Sequence, residues 1–206
     1  MKLIIMHFTQ LDSPCLIVDA AVVKHNIDEM IRMVGDIHRL RPHIKTHKTA
    51  EGIQAMMKAG IQKFKCATIA EAELLALNGV KDILLAYQPV GPKVERLYQL
   101  NATFPGIQFG CLVDNEQAAT EIGNFFHQHQ VRLDVYVDLN VGMNRTGIAP
   151  QHALPLIKAL QHMPGLRFRG LHVYDGQHRQ VNYEEKAKAC EQGFESVYTL
   201  IHAMKS

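Results

Sequence analysis

Apolar residues in this chain form short runs that alternate with longer amphipathic stretches. The short runs are rich in β-branched residues and predict seven strands, at residues 15–19, 40–45, 64–68, 82–87, 107–113, 133–141 and 166–174. Apolar positions three and four apart predict a helix after each strand, the first through Val23, Ile27 and Val34 and the others at residues 51–59, 70–77, 93–100, 116–128, 151–162 and 184–204. The pattern therefore predicts a series of βα units.

Strict alternation of strands and helices predicts an α/β fold with parallel strands and helical crossovers. The strand runs are almost continuously apolar, as in a sheet that is covered on both faces. An eight-stranded barrel and an open, doubly wound sheet both fit, and no G-x-G-x-x-G motif follows a strand to favour a dinucleotide fold. Because the sequence ends directly after a predicted helix, we expect either an open sheet or a barrel that is incomplete within these residues.

Composition narrows the classes of function. The formal net charge of +2 indicates neither a nucleic-acid partner nor a membrane, and no run approaches the roughly 20 apolar residues of a membrane span. The N-terminal apolar run is too short for the core of a signal peptide. The four cysteines lie far apart without a C-x-x-C pair, which favours reduced structural thiols in the cytoplasm over disulfides or a zinc site.

Polar residues gather at the predicted carboxyl ends of the strands, where parallel βα folds place their chemistry. They are His43, Lys45, Thr46, His47, Cys66, Thr68, Tyr87, Gln88, Asp114, Asp138, Asn140, Asn144, Arg145, His172, Tyr174, Asp175 and His178. Parallel strands would bring several of these side chains to one rim.

Lys45 ends an apolar run between His43 and His47. Strand alternation would put these three side chains on one face. Polar or cationic neighbours in a partly dry site lower the pKa of a lysine, and its amine then becomes a nucleophile able to form a Schiff base. Position alone nevertheless favours an ordinary solvated loop lysine. The spacing of the two histidines would indicate a metal site on a helix, but it is a weak metal signal in a strand-to-loop segment.

Arg145 and Tyr174 are two further candidates. Arg145 lies between Gly142 and Gly147 after a strand, where tight turns would let its guanidinium hold an anionic oxygen. A surface arginine explains the same pattern equally well. Tyr174 suits an acid–base group or a cover for a ring, and an ordinary rim tyrosine fits as well. Asp138 is a candidate to orient Arg145 or to cap the next turn, and we favour the structural role.

Six sequence runs occur in an order that resembles a known family. They are DSPCLIVD at residues 12–19, RPHIKTHK at 41–48, CATIAEAE at 66–73, LLAYQPVG at 84–91, VGMNRTG at 141–147 and GLHVYDG at 170–176. The series resembles the D-threonine aldolase and D-serine dehydratase family, a branch of the alanine racemase-like (fold type III) enzymes that use pyridoxal 5′-phosphate (PLP). RPHIKTHK is the most specific run, whereas VGMNRTG is shared with alanine racemases.

The resemblance implies a PLP-binding (β/α)8 TIM-type barrel joined to a C-terminal β domain. Residues 1–206 would form the N-terminal barrel domain, cut before the last barrel strands. The first strand would be an accessory that packs with the C-terminal domain, and about six strands would belong to the barrel. The glycine-rich cradle for the PLP phosphate and the ligands of a divalent metal would lie beyond these residues, so no metal ligand is expected within them.

The resemblance also implies roles for individual residues. It puts the PLP Schiff base on Lys45 and gives Lys45 and Tyr174 catalytic roles. It places His43, Thr68, Arg145 and Tyr174 around the cofactor, with Arg145 at the phenolic oxygen. The family often shows Y-x-G-H, whereas here Gln177 intervenes before the histidine.

The implied function is a lyase reaction on a small D-amino acid. It would be aldol cleavage of β-hydroxy-D-amino acids or dehydration of D-serine, by a cytoplasmic homodimer. Three alternatives stay open: an amino-acid racemase, a non-catalytic PLP-binding protein, and an inactive fragment.

Overall fold

Five parallel strands form one sheet in the computed structural model, which describes residues 11–205. The strands are β1 (Lys63–Cys66), β2 (Asp82–Leu85), β3 (Gln108–Val113), β4 (Leu133–Leu139) and β5 (Leu166–Val173). Each strand pairs with its neighbour in the chain, so the spatial order is the sequence order. A doubly wound sheet reverses its order at a switch point. The order of this sheet never reverses, so its topology is that of a barrel and not of a doubly wound sheet.

Seven α-helices cover the sheet in the described residues, and all seven predicted helices are confirmed. They are α1 (Ala20–Val34), α2 (Ala50–Lys58), α3 (Ile69–Leu77), α4 (Pro92–Thr103), α5 (Glu116–Gln128), α6 (Pro150–Gln161) and α7 (Tyr183–Lys205). Two short 3-10 helices, Ile37–Arg39 and Ile44–Thr46, lie between α1 and α2. From residue 11 to residue 205, no helix has the length and apolar character needed to cross a membrane.

The core lies between the helices and one face of the sheet. Alternate strand residues point toward the helices and are buried, among them Phe64, Cys66, Ile83, Leu85, Cys111, Val135 and Val137. Burial raises the pKa of the Cys66 and Cys111 thiols, which keeps both in the protonated, unreactive form. The intervening residues point to the other face, which carries Lys65, Asp134 and Asp138.

The predicted strand at residues 15–19 is wrong. These residues form no strand and are exposed, with Leu16 at 89% of its full accessibility. Apolar composition does not make a strand without a neighbouring chain to pair its backbone groups, and no described segment pairs with this one. Its last residue, Asp19, instead accepts hydrogen bonds from the backbone of Ala21 and Val22 and begins α1.

The predicted strand at residues 40–45 is also wrong, and the six predicted barrel strands become five. The segment makes one isolated parallel bridge, His43 to Lys65, supported by a 2.9 Å hydrogen bond from Lys65 N to Pro42 O. Pro42 has no N–H to extend the ladder, and the chain turns at once into the 3-10 helix Ile44–Thr46. The expected alternation of His43, Lys45 and His47 on one strand face therefore fails.

Ile44 anchors this segment, because its side chain is fully buried while the next two residues, Lys45 and Thr46, are exposed. Truncation to alanine leaves a cavity that the short segment cannot close, so we expect Ile44→Ala to lower the free energy of unfolding by about 2–5 kcal/mol. Urea denaturation measures this loss. Ile17→Ala is the matched control, since Ile17 is 47% exposed, and it should stay close to wild type. Equal effects of the two substitutions would contradict this account of the anchor.

Candidate active site

Lys45 lies in the short 3-10 helix just beyond the bridge to β1, and its side chain is exposed. Its backbone N–H donates a 3.1 Å hydrogen bond to His43 Nδ1, which begins that helix. Lys48, which ends the motif, has a positive φ of 52°, and its ammonium lies 3.4 Å from the buried Glu71 carboxylate. The Lys45 amine is therefore exposed to solvent, while contacts of His43 and Lys48 hold the backbone on either side of it.

His43 is neutral at pH 7. Burial, together with the nearby charges of Lys45 and Lys65, lowers its pKa from 6.5 to about 4. Because Nδ1 accepts from the Lys45 backbone, the neutral ring carries its proton on Nε2. His43 therefore adds a hydrogen-bond donor beside Lys45 without adding a charge.

Lys65 is a second lysine at this place, and the sequence analysis missed it. Burial lowers the pKa of its amine, and the charges of Lys45 and Arg41 lower it further, while Asp138 opposes them. The available signal was a lysine between two buried residues, Phe64 and Cys66, in an apolar strand.

Asp138 and His172 form a hydrogen-bonded pair between β4 and β5. His172 Nδ1 lies 2.6 Å from the Asp138 carboxylate, which is 6% exposed. Of the two roles considered for Asp138, the carboxylate serves the favoured, structural one, because it pairs with His172 and not with Arg145 in the described residues. His172 Nε2 is buried and has no hydrogen-bond partner within residues 11–205. Buried polar atoms are rarely left unpaired, so this nitrogen is available to a bound group.

The loop after β4, residues 140–147, is held rigidly enough to aim Arg145. The side-chain oxygen of Asn140 accepts from the backbone N–H groups of Gly142 and Asn144, both at 3.1 Å. The Asp114 carboxylate accepts from Gly147 N at 3.0 Å. Gly147 has a φ of 98°, and a Cβ there would collide with the backbone at the end of β4. Glycine is therefore required at the point where the loop returns to the strand.

Arg145 and Tyr174 lie together at the rim. The Arg145 guanidinium is 5.2 Å from the centroid of the Tyr174 ring, within the range of a cation–π contact. The tyrosine ring folds over Gly176, where a Cβ would overlap its hydroxyl. Tyr174 stays 38% exposed. Each residue thereby restricts the other without being buried.

Thr68 has a structural task at the end of β1. Its hydroxyl accepts from Glu71 N at 3.1 Å and begins α3, while the Glu71 carboxylate accepts from Ala67 N at 2.8 Å. These bonds position the β1–α3 loop next to the Lys48–Glu71 ion pair. A cofactor contact by Thr68 stays a prediction.

A cleft at the rim joins several of these groups. It is lined by Ala86, Leu112, Asp138, Leu139, Met143, Arg145, Thr146, His172 and Tyr174. The enclosed volume of the cleft is about 30 Å³, and its volume including the open mouth is about 310 Å³. Lys45, His43 and Thr68 are not among the lining residues. The structure thus forms two groups at the strand ends, Arg145 with Tyr174 and Lys45 with His43.

The residues present fit a PLP cofactor in part. Lys45 offers an exposed amine for its aldehyde, and Arg145 offers a fixed cation for an anionic oxygen. The unpartnered Nε2 of His172 offers a hydrogen-bonding position on a residue that lines the cleft. The enclosed volume is that of about one water molecule, so a pyridine ring requires the open mouth.

The lowered pKa of His43 makes stability depend on pH. Between pH 4 and 6.5 the unfolded chain binds more protons at this site than the folded chain does. The contribution of His43 is thus fully present above pH 6.5 and is lost as the pH falls toward 4. His47, whose pKa burial also lowers, adds an effect of the same sign.

We expect His43→Asn to reduce this loss of stability, because asparagine keeps a helix-capping acceptor but does not titrate. Urea denaturation from about pH 7 down to about pH 4 measures the slope. His25→Asn, at an exposed position of α1, should keep the wild-type slope. If both variants have the same slope, His43 does not cause the effect.

Known proteins resemble this chain over nearly all of its length. The family model "alanine racemase, N-terminal domain" matches residues 18–205. The 3-hydroxy-D-aspartate aldolase of Paracoccus denitrificans (strain Pd 1222) is 30% identical over 194 residues, which cover 89% of this chain and 48% of that protein. The D-threo-3-hydroxyaspartate dehydratase of Delftia sp. (strain HT23) is 28% identical over 183 residues, covering 87% and 47%.

A crystal structure shows the same relation in three dimensions. D-threonine aldolase from Filomicrobium marinum superposes with a TM-score of 0.86 at 30% identity, covering 94% of this chain and 53% of that one. This chain therefore spans about half the length of the relatives it matches. The family resemblance and the barrel-like α/β fold expected from the six sequence runs are both confirmed, and the chain belongs to the alanine racemase N-terminal domain family.

Proposed function

We propose that this chain is the cofactor-bearing barrel portion of a PLP-dependent lyase that acts on β-hydroxy-D-amino acids. The observation that carries the proposal is the placement of the exposed Lys45 amine beside neutral His43, at the same strand ends as the Arg145–Tyr174 pair. The names of the relatives support the substrate class, because they are aldolases and a dehydratase of β-hydroxy-D-amino acids.

Four residues would hold the cofactor. Lys45 would bind its aldehyde carbon, and Arg145 would donate to its phenolic oxygen from a loop fixed by Asp114 and Asn140. The Tyr174 ring is held by Arg145 and would cover the open mouth of the cleft. His43 would donate from Nε2 into the same region. When bound, PLP supplies an electron sink for the bond that breaks at Cα of the substrate.

Once the substrate amine has displaced it from the cofactor, the Lys45 amine would also move the proton in the reaction. For aldol cleavage, the amine would accept the proton of the substrate β-hydroxyl, and the products are glycine and an aldehyde. For dehydration of D-serine, it would accept the proton from Cα, and the products are pyruvate and ammonia. Tyr174 is the second proton-bearing group at the rim, and its partial exposure leaves the hydroxyl accessible. We propose no described residue as a ligand of the PLP phosphate or of the metal used in the lyase reaction. We likewise propose none as a contact to a second subunit of a homodimer.

Chemical trapping tests the assignment of Lys45. Incubation with PLP followed by borohydride reduction and peptide mass spectrometry should place the cofactor on Lys45, because its amine is exposed while that of Lys65 is part-buried. Lys45→Ala should abolish the modification. Lys58→Ala, which removes an exposed lysine of α2, should not change it. Modification of Lys65, or of many surface lysines equally, would contradict the assignment.

Substrate profiles test the reaction class. The chain, expressed with any coding sequence contiguous with it, should release glycine from D-threonine or pyruvate from D-serine in the presence of PLP and a divalent metal. Lys45→Ala should reduce the rate by at least about 100-fold, the lower range of a lost general base. Interconversion of D- and L-alanine without cleavage or dehydration would favour the racemase alternative. Unchanged activity of Lys45→Ala would refute the proposed role of this residue.

A further inference from the structure

Three metal-ligating side chains meet outside the cleft described above. Asp175 and His178 lie in the loop after β5, and Cys190 lies in α7. One ligand atom of each lies within 4.8 Å of the other two, and all three residues are half-buried. The sequence analysis did not join them, because twelve positions separate Cys190 from His178 and the family pattern left His178 without a role.

Local structure holds the three side chains in place. The backbone N–H of His178 donates to Asp175 O at 3.3 Å, which closes a turn between the first two residues. The imidazole Nε2 of His178 packs over Gly193, which lies one turn after Cys190 on the same helix. A larger residue at position 193 would narrow the space between the imidazole and α7. The loop and the helix are therefore in direct contact at this cluster.

A cation bound at this cluster would have to displace a thiol proton and a hydrogen-bond contact. Partial burial and the neighbouring Asp175 raise the pKa of the Cys190 thiol, so the thiol keeps its proton until a cation displaces it. The amide nitrogen of Gln177 donates to Val141 O and also lies 3.2 Å from His178 Nε2, so a cation bound at Nε2 would take the place of that contact. Gln177 Oε1 is buried without a partner in the described chain and is an acceptor available to a water ligand.

We propose that Asp175, His178 and Cys190 bind a divalent cation of the zinc type. Thiolate, imidazole and carboxylate are the ligands that Zn²⁺ takes in proteins, with three protein ligands and a water completing a tetrahedron. A thiolate disfavours Mg²⁺ and Ca²⁺, which prefer oxygen ligands. Zinc–ligand bonds of about 2.0–2.3 Å require the three atoms to move to roughly 3.5 Å from one another. The bound state loses the Cys190 proton, so the two anionic ligands balance the charge of the cation.

The cation would clamp the loop after β5 to α7. Asp175 follows Tyr174 directly, so the clamp would fix the backbone that carries this tyrosine at the rim. Asp175, His178 and Cys190 are not among the residues proposed to hold the cofactor.

Cobalt spectroscopy tests the site on the 206-residue chain. After removal of metals with a chelator, Co²⁺ should produce a thiolate-to-cobalt charge-transfer band that saturates at one equivalent and disappears when Zn²⁺ is added. Cys190→Ser should lack the band, and His178→Gln should weaken Co²⁺ binding at least tenfold. Cys15→Ser, which removes an exposed cysteine far along the chain, should retain the full band. Absence of the band from the wild-type chain, or its persistence in Cys190→Ser, would overturn the proposal.

A thermal measurement keeps the test decisive if a variant folds poorly. Zn²⁺ should raise the Tm of the wild-type chain and of Cys15→Ser, because it binds the folded site and not the unfolded one. Mg²⁺ at the same concentration should leave the Tm unchanged. Asp175→Asn keeps the size and a hydrogen-bonding acceptor, so it should fold yet show a reduced shift with Zn²⁺. A full zinc shift in Asp175→Asn and His178→Gln together would refute the site.

Discussion

Asp138 is the residue on which the arrangement of the rim depends. Its carboxylate pairs with His172 and joins β4 to β5, while its backbone oxygen accepts from Ile148 N at 2.9 Å and brings the loop after β4 back to the strand. Gly147 can make this return only because it lacks a Cβ. One buried residue thus sets both the spacing of two strand ends and the direction of the loop that carries Arg145.

The helices were predictable from sequence because each one is specified locally. Apolar spacing defined the buried face, and side-chain caps such as Asp19, Thr68 and Asn115 defined where helices begin. Strands depend on a partner, so apolar content alone did not decide between strand and coil. The segment at residues 15–19 has no described partner, and the one at residues 40–45 contains Pro42 and keeps only a single bridge.

The residues of the site also divide into those with a local sequence signal and those that depend on contacts between strands. Lys45, Arg145 and Tyr174 could be selected because each lies in a distinctive run of neighbours. Lys65 and the Asp138–His172 pair were not assigned functional partners, because their chemistry arises from contacts between different strands. Their positions at one end of the sheet follow from the register in which the strands pair, and the sequence alone does not give that register. Sequence reasoning therefore identifies groups with a local signature more readily than groups that only the fold brings together.

The balance of charge explains why an anionic ligand suits this rim. Lys45 and Lys65 lie close enough to lower the pKa of His43 together with burial, and Asp138 is already engaged by His172. Arg145 adds a third cation, which contacts the Tyr174 ring. Positive charge at the strand ends favours binding of a molecule with anionic oxygens. A phosphorylated cofactor and an amino-acid carboxylate both have this character, and the lysine that would bind the cofactor lies within the same field.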